Sequence, residues 1–382
     1  MRLRTFHRGE LSLPTHVRDF NRAAVLQRLF RGGPMSRADL ARQIGLTKVT
    51  VSALIAGLVE EGVVRELGPD SRPGTPGKRG TLVALCEDQR RIVAVDLTRD
   101  GHLSGATMTL TGESMDHSRL DDLLPLGDAG VDELTRFCRT LIDVSQVPVL
   151  GVGVSTPGVV TGDGVILRAP KREWFGLDLQ HVLGERLGLP VTVANDANCA
   201  ALGEFAFGET DGDSVLSILV GDGIGAGLVV AGSLVHGSSS AAGEIAHITA
   251  TTAGDGAPWG EPQTCVCGRR GCLETLLSEP LLREAIAGLS PAERTAWLTA
   301  VGERLGAVLA PVAALLDLSD IVIAGPEDLL AGPVVEAARA ALTARIWPAM
   351  NHVPTLGLSR LEDRAPLVGA GVLVLSSTLG IP

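Results

Sequence analysis

Apolar residues recur at helical spacing in the first 60 residues of the chain, and breaks in the pattern divide this segment into three predicted helices. The first is predicted in VRDFNRAAVLQRLFR, before the break GGP. Its apolar positions form one stripe, which we expect to face inward: Val17, Phe20, Ala24, Leu26, Leu29 and Phe30.

The second and third helices are separated by a very short turn. Ser36 and Asp39 have the spacing of a capping box at the start of the second helix, and Gly45 ends it. Thr47 is a favourable N-cap for the third helix. The third helix has five positions that we expect to face inward: Val51, Leu54, Ile55, Leu58 and Val59. This pattern is typical of a helix-turn-helix domain, whose second helix enters the DNA major groove, although an ordinary helical hairpin remains the alternative.

After Gly62 the pattern changes to the alternation typical of strands. VVRELG and GTLVAL flank PDSRPGTPGKR, a basic loop rich in Pro and Gly, so we predict a hairpin that forms the wing of a winged helix-turn-helix domain. We expect DNA contacts from the second helix, the start of the third helix and the wing. The residues concerned are Arg37, Thr47, Lys48, Thr50, Arg72, Lys78 and Arg79.

The charge distribution agrees with a DNA-binding head. The first 80 residues carry 14 Lys and Arg against 7 Asp and Glu, whereas the rest of the chain carries 19 against 37. A basic module on an acidic body is typical of nucleic-acid-binding proteins. A solvated basic face has the same composition and is the alternative.

From residue 90 onward, buried-type strands alternate with amphipathic helices. RIVAVDLT and VPVLGVGVSTPGVV are predicted strands, and the helix LDLQHVLGERLGLP leads into the strand VTVAND. SVLSILVGDGIGAGLVVAGSLVHG predicts two strands around a glycine loop, and similar signals recur near residues 95, 155, 222 and 325. Repeated units of this kind indicate an α/β body with two related lobes around a cleft.

Composition indicates the compartment. The 382 residues are 45% hydrophobic and include six cysteines, too few for a secreted disulfide scaffold. The start MRLRTFHRGELSLP has no apolar core, so we predict no signal peptide. Asp317 and Asp320 interrupt the most apolar stretch, which is therefore a predicted buried helix and strand rather than a membrane span. We expect a cytoplasmic protein with no membrane partner.

Three of the six cysteines lie in CVCGRRGCLE. Cys265 and Cys267 are too close in sequence for an easy disulfide, and Cys272 follows five residues later. A structural zinc ion needs four ligands, and the nearest preceding histidine is His247 in AAGEIAHITA. The sequence therefore predicts a structural Cys3His zinc site of these four residues, with reduced free thiols as the alternative. The other cysteines lie in apolar surroundings and are predicted core residues: Cys86, Cys138 and Cys199.

Residues suited to binding a sugar lie close to the predicted metal ligands. Glu244 and Glu274 flank the ligand set, so closing the metal site would bring their carboxylates together. Asn195 and Asp196 follow a predicted strand, where α/β proteins hold ligands. These groups can accept or donate several hydrogen bonds to hydroxyls, although each alone is a common turn or capping residue.

Six segments resemble the ROK family in order and spacing: GVGVSTPGVV, ILRAPKREWFGLDL, VANDANCAALGE, GDGIGAG, AAGEIAH and CVCGRRGCLE. That family contains bacterial sugar kinases and sugar-responsive repressors, and the resemblance covers roughly residues 90–382. It implies an actin-like (ribonuclease H-like) fold of two lobes with the sugar in the cleft. The amino-terminal winged helix-turn-helix is similar to that of the repressor branch, and the family's kinases lack it.

The resemblance also implies roles for individual residues. The family's zinc ligands map onto His247, Cys265, Cys267 and Cys272. Its sugar contacts map onto Asn195, Asp196, Glu244, His247 and Glu274. In the kinases of the family, the position of Asp196 is the catalytic base.

Three nucleotide-binding segments depart from the family pattern. In DLTRDG, Thr98 and Asp100 stand where the family's Asp-x-Gly-x-Thr loop has glycine and threonine. In GDGIGAG, Asp222 replaces the threonine of Gly-Thr-Gly. A third segment, AGPEDLLAG, has other residues where further glycine is usual: Pro326, Glu327 and Asp328. A carboxylate facing a triphosphate repels it by about 1–4 kcal/mol at short range, so we expect no enzyme activity and interpret Asp196 as a ligand contact.

One departure lies on the sugar side of the predicted cleft. Lys171 replaces the asparagine of the family's APN segment. A lysine there can reach an anionic group, such as a phosphate on a sugar, or it can extend into solvent. Both interpretations remain open, so the sugar can be neutral or phosphorylated.

Taken as a whole, the sequence predicts a sugar-responsive regulator, most simply a repressor, that binds double-stranded operator DNA and a sugar or sugar derivative as a homodimer or homotetramer. A ROK-type, ATP-dependent sugar kinase with an added head is the alternative, and a regulator that no longer senses sugar is a third interpretation. The predicted domains are residues 1–80 for the head, 81–190 for the first lobe and 191–382 for the second lobe. We expect the C-terminal helix to return to the first lobe.

Overall fold

The computed structural model describes residues 14–70, 80–97, 101–210, 212–254, 258–347 and 353–381. Within these ranges the chain forms a small helical head followed by two lobes, and each lobe is built on a five-stranded sheet. This architecture agrees with the winged head and the two-lobed α/β body that the sequence predicts.

The head contains three helices and a three-stranded sheet of order β1-β3-β2. Its elements are α1 (Pro14–Gly32), β1 (Met35–Ser36), α2 (Arg37–Ile44), α3 (Lys48–Glu60), β2 (Val64–Pro69) and β3 (Thr81–Leu85). β3 pairs with both other strands, so the head continues to Leu85 and past the predicted boundary at residue 80.

The predicted caps of the helix-turn-helix are confirmed. The side chain of Ser36 accepts a hydrogen bond from the N–H of Asp39 at 3.2 Å, and that of Thr47 accepts one from the N–H of Thr50 at 3.1 Å. Gly45 ends α2 with φ of 77°, a left-handed conformation that favours glycine. These short-range bonds fix the turn between α2 and α3.

Two residues predicted to face inward are exposed instead. Phe20 is 75% exposed, because the fully buried positions of α1 from residue 18 onward begin at Val25. The side chain of Val17, also predicted to face inward, lies outside the described residues. Val59 is 38% exposed, since it lies at the edge of the buried stripe of α3 that ends at Leu58. The predicted stripes were therefore one residue too wide at these ends.

The first lobe carries the sheet β11-β7-β4-β5-β6 and a smaller sheet β10-β9-β8. Its elements are β4 (Arg91–Asp96), β5 (Leu103–Met108), β6 (Ser114–Leu120), α4 (Gly127–Val144), β7 (Val149–Thr156), β8 (Val159–Val160), β9 (Val165–Ala169), β10 (Trp174–Asp178), α5 (Leu179–Leu187) and β11 (Val191–Asn195). A 3-10 turn, Pro170–Arg172, connects β9 and β10. β11 pairs in parallel with β7, so this sheet extends past residue 190.

The second lobe carries the sheet β14-β13-β12-β15-β16. The elements from the end of β11 onward are α6 (Asp196–Phe207), β12 (Val215–Val220), β13 (Ile224–Val230), β14 (Ser233–Leu234), α7 (Glu274–Leu277), α8 (Glu279–Ile286), α9 (Pro291–Leu316), β15 (Asp320–Ala324), α10 (Glu327–Leu330), α11 (Pro333–Thr343), β16 (Thr355–Leu358) and α12 (Ala365–Leu379). A 3-10 turn, Ile245–His247, lies between β14 and α7.

Two helices connect the lobes. α6 packs against β12 and β13 of the second lobe, and α12 packs against α6 and against β4, β7 and β11 of the first lobe. The long apolar helix α9 has the length and composition of a membrane span, but it packs along α11 and contributes Leu305 and Leu309 to the core of the second lobe. It is thus accounted for as a core helix.

Candidate functional site

The carboxyl ends of three strands of the first lobe lie side by side. Asp96 at the end of β4 is paired with Ser155 of β7, and Asn195 at the end of β11 is paired with Thr156. Ligands of open α/β sheets bind at this edge. The predicted ligand residues Asn195 and Asp196 therefore lie where the fold presents polar groups to a cleft.

Asn195 joins β11 to α6 through its side chain. Its Oδ1 accepts hydrogen bonds from the N–H groups of Ala197 at 3.0 Å and Asn198 at 3.2 Å, which makes it the N-cap of α6. Its Nδ2 donates to Gly158 O at 2.9 Å and to Asp196 Oδ1 at 2.8 Å. Asn195 thus fixes the start of α6 and the position of the neighbouring carboxylate.

The environment of Asp196 raises its pKa to about 7, first because the carboxyl is buried and second because the Asp96 carboxylate lies nearby. Hydrogen bonds from the N–H of Ala197 and from Asn195 oppose this increase. Asp196 can therefore lose its proton near neutral pH when a ligand hydroxyl donates a hydrogen bond to its carboxylate.

The glycines of β13 and its flanking loops bring the second lobe onto the start of α6. Side chains at Gly225 and Gly227 would come within 2.9 and 2.2 Å of Ala197 atoms, and one at Gly223 would come within 2.9 Å of Glu274 Oε1. Because these positions are glycine, the backbone of residues 223–227 can approach both Glu274 and the first turn of α6. The structure thus gathers residues 80 positions apart in sequence around one end of β13.

Four residues form a compact group that could hold a metal ion. One ligand atom from each of His247, Cys265, Cys267 and Cys272 lies within 4.8 Å of all the others. Cys267 Sγ and Cys272 Sγ are 3.6 Å apart, and Cys265 Sγ is 3.5 Å from His247 Nδ1. These are the four residues that the sequence predicts as metal ligands.

The thiols of this group differ in their readiness to ionise. The N–H of Arg269 donates to Cys267 and is the main reason that the pKa of its thiol falls to about 6. Burial raises the pKa of Cys265 to about 12 and also raises the pKa of Cys272. A bound cation would favour the thiolate form of all three.

The candidate metal group is directly connected to the two predicted carboxylates. His247 turns Nδ1 toward Cys265, while its Nε2 lies 3.8 Å from Glu244 Oε2. Cys265 Sγ donates to Glu274 Oε2 at 3.0 Å. A metal held here would convert the Cys265 thiol to a thiolate and end this hydrogen bond. It would instead position Glu244 beside its ligand His247 and Glu274 through the chain, two residues after its ligand Cys272.

Two departures from the family's pattern face each other across the lobes. Lys171, in the 3-10 turn of the first lobe, places Nζ 3.7 Å from Oδ2 of Asp222, in the turn between β12 and β13. Lys171 is nevertheless 78% exposed. Thr98 and Asp100 of the first nucleotide segment lie outside the described residues.

In the third nucleotide segment, Asp328 is paired with an arginine. Asp328 near the start of α10 receives two hydrogen bonds from Arg283 of α8, at 2.9 and 3.2 Å. These bonds are the main reason that the pKa of Asp328 is lowered.

Sequence reasoning missed Arg172, the neighbour of Lys171. Its side chain is only 7% exposed and lies against Gly101, beside the first nucleotide segment. Burial lowers its pKa, and its Nη1 has no hydrogen-bond partner among the residues that the structure describes. An arginine next to another cation, in a segment without a regular apolar pattern, gave no signal for burial in the sequence.

The front of α3 presents the predicted DNA-reading residues to solvent. Thr47 and Lys48 are exposed, whereas Thr50 is partly buried and its hydroxyl is 2.9 Å from that of Thr47. Val49, which sequence reasoning passed over, is 80% exposed on the same turn. Arg37, which the sequence predicts to contact phosphate, forms an ion pair through its Nη2 with the exposed Glu66 of β2 at 2.5 Å.

Three predicted wing residues, Arg72, Lys78 and Arg79, lie outside the described residues. The flanking strands β2 and β3 pair in antiparallel register, so the hairpin that would carry these residues is formed.

A separate cavity of about 340 Å³ lies in the second lobe, lined in part by Thr275 and Leu276 of α7. Trp259, Trp297, Glu261 and Glu284 are among its lining residues. It contains none of the five predicted ligand residues, so it is distinct from the site described above.

Comparison with known proteins agrees with both parts of this architecture. The ROK family model matches residues 131–377, and the IclR helix-turn-helix domain model matches residues 23–68. A xylose repressor from Caldicellulosiruptor bescii is 28% identical over 407 residues, which cover 96% of this chain and 98% of the relative. The likeness therefore includes the head as well as the two lobes.

Two solved structures share the fold. A ROK family transcriptional regulator, a homologue of the E. coli Mlc protein, superposes with a TM-score of 0.80 at 22% identity and covers 96% of this chain and 98% of its own. A ROK family glucokinase from Streptomyces griseus, in complex with glucose and AMPPNP, has a TM-score of 0.60 at 24% identity. It covers 98% of its own chain but only 74% of this one.

Proposed function

The chain belongs to the ROK family, and from this premise we propose that it is a transcriptional repressor whose DNA binding responds to a sugar. One observation carries the proposal: a winged head with an exposed reading helix is joined, in one chain, to a cleft edged by hydrogen-bonding carboxylates. The xylose repressor from Caldicellulosiruptor bescii aligns along nearly its whole length with this chain, which supports the same function here.

On the DNA side, we propose that the front of α3 enters the major groove. Thr47, Lys48 and Thr50 supply polar contacts, and the exposed methyl groups of Val49 can pack on a thymine methyl. Arg72, Lys78 and Arg79 of the wing contact phosphates or the minor groove. We assign Arg37 mainly to its ion pair with Glu66.

On the ligand side, we propose that Asn195, Asp196, Glu244, His247 and Glu274 bind the sugar. Their grouping around one end of β13 supports this assignment. Carboxylates accept hydrogen bonds from neighbouring hydroxyls, and hydrogen bonds to charged groups contribute about 1.5–3 kcal/mol each. The ion pair of Lys171 with Asp222 supports a neutral sugar, because it gives that lysine a partner within the protein.

We propose that the metal is a structural zinc ion bound by His247, Cys265, Cys267 and Cys272. Zinc–sulfur bonds of about 2.3 Å in a tetrahedral site require sulfur atoms about 3.8 Å apart. The 3.6 Å separation of Cys267 Sγ and Cys272 Sγ supports this identity. Three thiolates and one imidazole complete the coordination, so the ion would serve to hold Glu244 and Glu274 rather than to perform chemistry.

We do not assign phosphoryl transfer to this cleft. A kinase positions nucleotide phosphates on glycine-rich turns with a metal ion, and here Asp222 occupies one such turn and is paired with Lys171. Asp196 is accordingly a ligand contact, although it is the residue that would act as the base in a kinase.

The proposal includes the assembly and the division into domains. A helix-turn-helix head normally reads a two-fold operator as a dimer, so we propose a homodimer, or a homotetramer built from it, in the cytoplasm. We place the head at residues 1–80 together with strand β3, the first lobe at 81–190 together with β11, and the second lobe in the remainder, with α12 packed on the first lobe.

Selection of bound DNA from a random pool, with and without D-xylose or D-glucose, tests the proposal. We expect a two-fold symmetric sequence whose recovery falls when the active sugar is present. Lys48→Ala should weaken binding of the selected DNA and reduce its salt slope by about one. Arg136→Ala, which removes an exposed cation from the first lobe, should change neither property.

Two results would contradict this assignment. The first is a selected pool without sequence preference. The second is unchanged operator affinity and salt dependence in Lys48→Ala, which would place the reading surface elsewhere.

A further inference from the structure

Helix α6 begins at the proposed sugar site and ends at the head. Asn195 caps its first turn, and Asp196 is its first residue. The helix has 12 residues and ends at Phe207, so at 1.5 Å per residue it is about 18 Å long. One straight element therefore spans the distance between the cleft and the DNA-binding domain.

The last turn of α6 contacts the first helix of the head through two aromatic rings. Phe207 meets Phe30 of α1 edge to face, with ring centroids 5.4 Å apart and an interplanar angle of 68°. The guanidinium of Arg31 lies over the ring of Phe205, 5.2 Å from its centroid. On its other side the Phe207 ring closes over Gly112, where any side chain would come within 2.3 Å of it.

The middle of α6 is packed closely against its neighbours. A side chain at Gly369 of α12 would come within 1.7 Å of Cys199 O, so the backbones of α6 and α12 are in direct contact. The buried carboxyl of Glu204 accepts a hydrogen bond from Ser359 Oγ of the second lobe. These contacts join α6 to α12 and to the second lobe along the stretch between the proposed sugar site and the head.

α12 reaches the same helix of the head by a second contact. Gly380, directly after α12, accepts a hydrogen bond through its carbonyl from Gln27 Nε2 of α1 at 3.0 Å. Leu26 and Leu29 of α1 in turn share one apolar core with Val51 and Ile55 of α3. Any shift of α1 is therefore transmitted to the helix that reads DNA.

We propose that α6 couples the sugar site to the head, and that Phe207 and Phe30 are the positioning residues that transmit the sugar's effect on DNA affinity. The inference rests on the proposed sugar site. A sugar bound to Asn195 and Asp196 prefers one position of the first turn of α6, and the aromatic contact converts that preference into one arrangement of α1. Coupling between two sites of this kind typically changes affinity by about 5–150-fold.

The experiment measures coupling separately from binding. For the full chain, operator affinity is determined with and without saturating D-xylose or D-glucose, and sugar affinity is measured by calorimetry. We expect Phe207→Leu and Phe30→Leu to reduce the sugar's effect on operator affinity to less than about twofold, while sugar affinity stays within about threefold of the wild type. Phe20→Leu, on the solvent side of α1, is the matched control and should retain the full effect.

A purely structural role predicts a different result. Phe207→Leu would then lower the melting temperature and leave the ratio of operator affinities unchanged, which would overturn the proposal. Failure of wild-type protein to bind either sugar would instead argue against the proposed sugar site.

A second arm tests the coupling without any sugar. Asn195→Ala removes the cap of α6 and should change operator affinity by several-fold in the wild-type background but not in Phe207→Leu. Equal changes in both backgrounds, or no change in either, would overturn the role of α6.

Discussion

The two sides of the cleft surround their carboxylates with different partners. On the proposed sugar side, Glu244 faces the imidazole of His247, and Glu274 accepts a hydrogen bond from the Cys265 thiol. Within the described residues, no Lys or Arg contacts either glutamate at salt-bridge distance. These carboxylates keep their capacity to accept hydrogen bonds from a ligand.

On the side of the nucleotide segments, the carboxylates face cations of the protein itself. Asp222 lies 3.7 Å from Lys171, and Asp328 forms a two-pronged pair with Arg283. Exposed pairs of this type contribute only about 0–1 kcal/mol to stability. The resemblance to the family's kinases implies that Asp222 lies in a segment where a kinase holds phosphates.

The contrast teaches how one fold can support binding without transfer. A sugar needs hydrogen-bond acceptors that the protein leaves available, whereas a triphosphate needs backbone N–H groups and a metal ion. Among the described residues, Glu244 and Glu274 have no Lys or Arg partner, whereas Asp222 and Asp328 are paired with Lys171 and Arg283. The account therefore predicts effects on sugar binding that are confined to one side of the cleft.

The largest expected effect comes from removing the proposed zinc site. Cys265→Ser should abolish the proposed zinc content of about one ion per chain and, with it, sugar binding, because Glu244 and Glu274 lose their anchor. Metal analysis and calorimetry on the purified protein measure both. Cys138→Ala, in the core of the first lobe, is the control and should keep its zinc.

Three results together would rule out the metal site. Freshly purified wild-type protein would contain no zinc, it would be folded with all three thiols free, and Cys265→Ser would bind sugar as the wild type does.

The next effect compares the two sides directly. Glu244→Ala should weaken sugar binding by about 10–150-fold, the value of one hydrogen bond to a charged group. Asp222→Ala, on the other side, should change it by less than about threefold. If the two variants lose similar affinity in calorimetry, the division of the cleft into two functional sides is wrong.

A smaller effect concerns pH. Burial and Asp96 raise the pKa of Asp196 to about 7, so the free protein holds a proton there below neutral pH. A sugar hydroxyl that donates to Asp196 favours the ionised form, so affinity should rise with pH up to about 7 and level off above it. Below that pH the sugar affinity should change by close to tenfold for each pH unit.

Asp196→Asn should flatten this profile when calorimetric titrations are repeated between pH 5.5 and 8. An affinity that falls as pH rises through 7 would show that the ligand uses the protonated carboxyl as a donor instead.

Local features of the head could be predicted from the sequence because they depend on short-range bonds. Ser36, Gly45 and Thr47 end or begin helices through contacts within four residues. The exposure of Phe20 could not be predicted, since helical periodicity indicates a face but not where the neighbouring elements stop. Local pattern thus gives the elements more reliably than their packing.

Contacts between distant segments were predictable only in part. The metal group followed from ligand chemistry, which requires four partners whatever their spacing. The pair Lys171–Asp222 and the contact of Phe30 with Phe207 depend on how the lobes and the head pack, and no residue pattern encodes that geometry. Long-range pairing of this kind had to come from the structure.

The most direct test of the central claim is a coupled kinase assay with Mg-ATP, at sugar concentrations that calorimetry shows to be saturating. The panel contains D-xylose and D-glucose, each in neutral and phosphorylated form. The account predicts binding of a neutral sugar with no turnover above background, and loss of that binding in Glu244→Ala. Turnover of about one per second that disappears in Asp196→Asn would contradict it and identify the chain as a sugar kinase with a DNA-binding head.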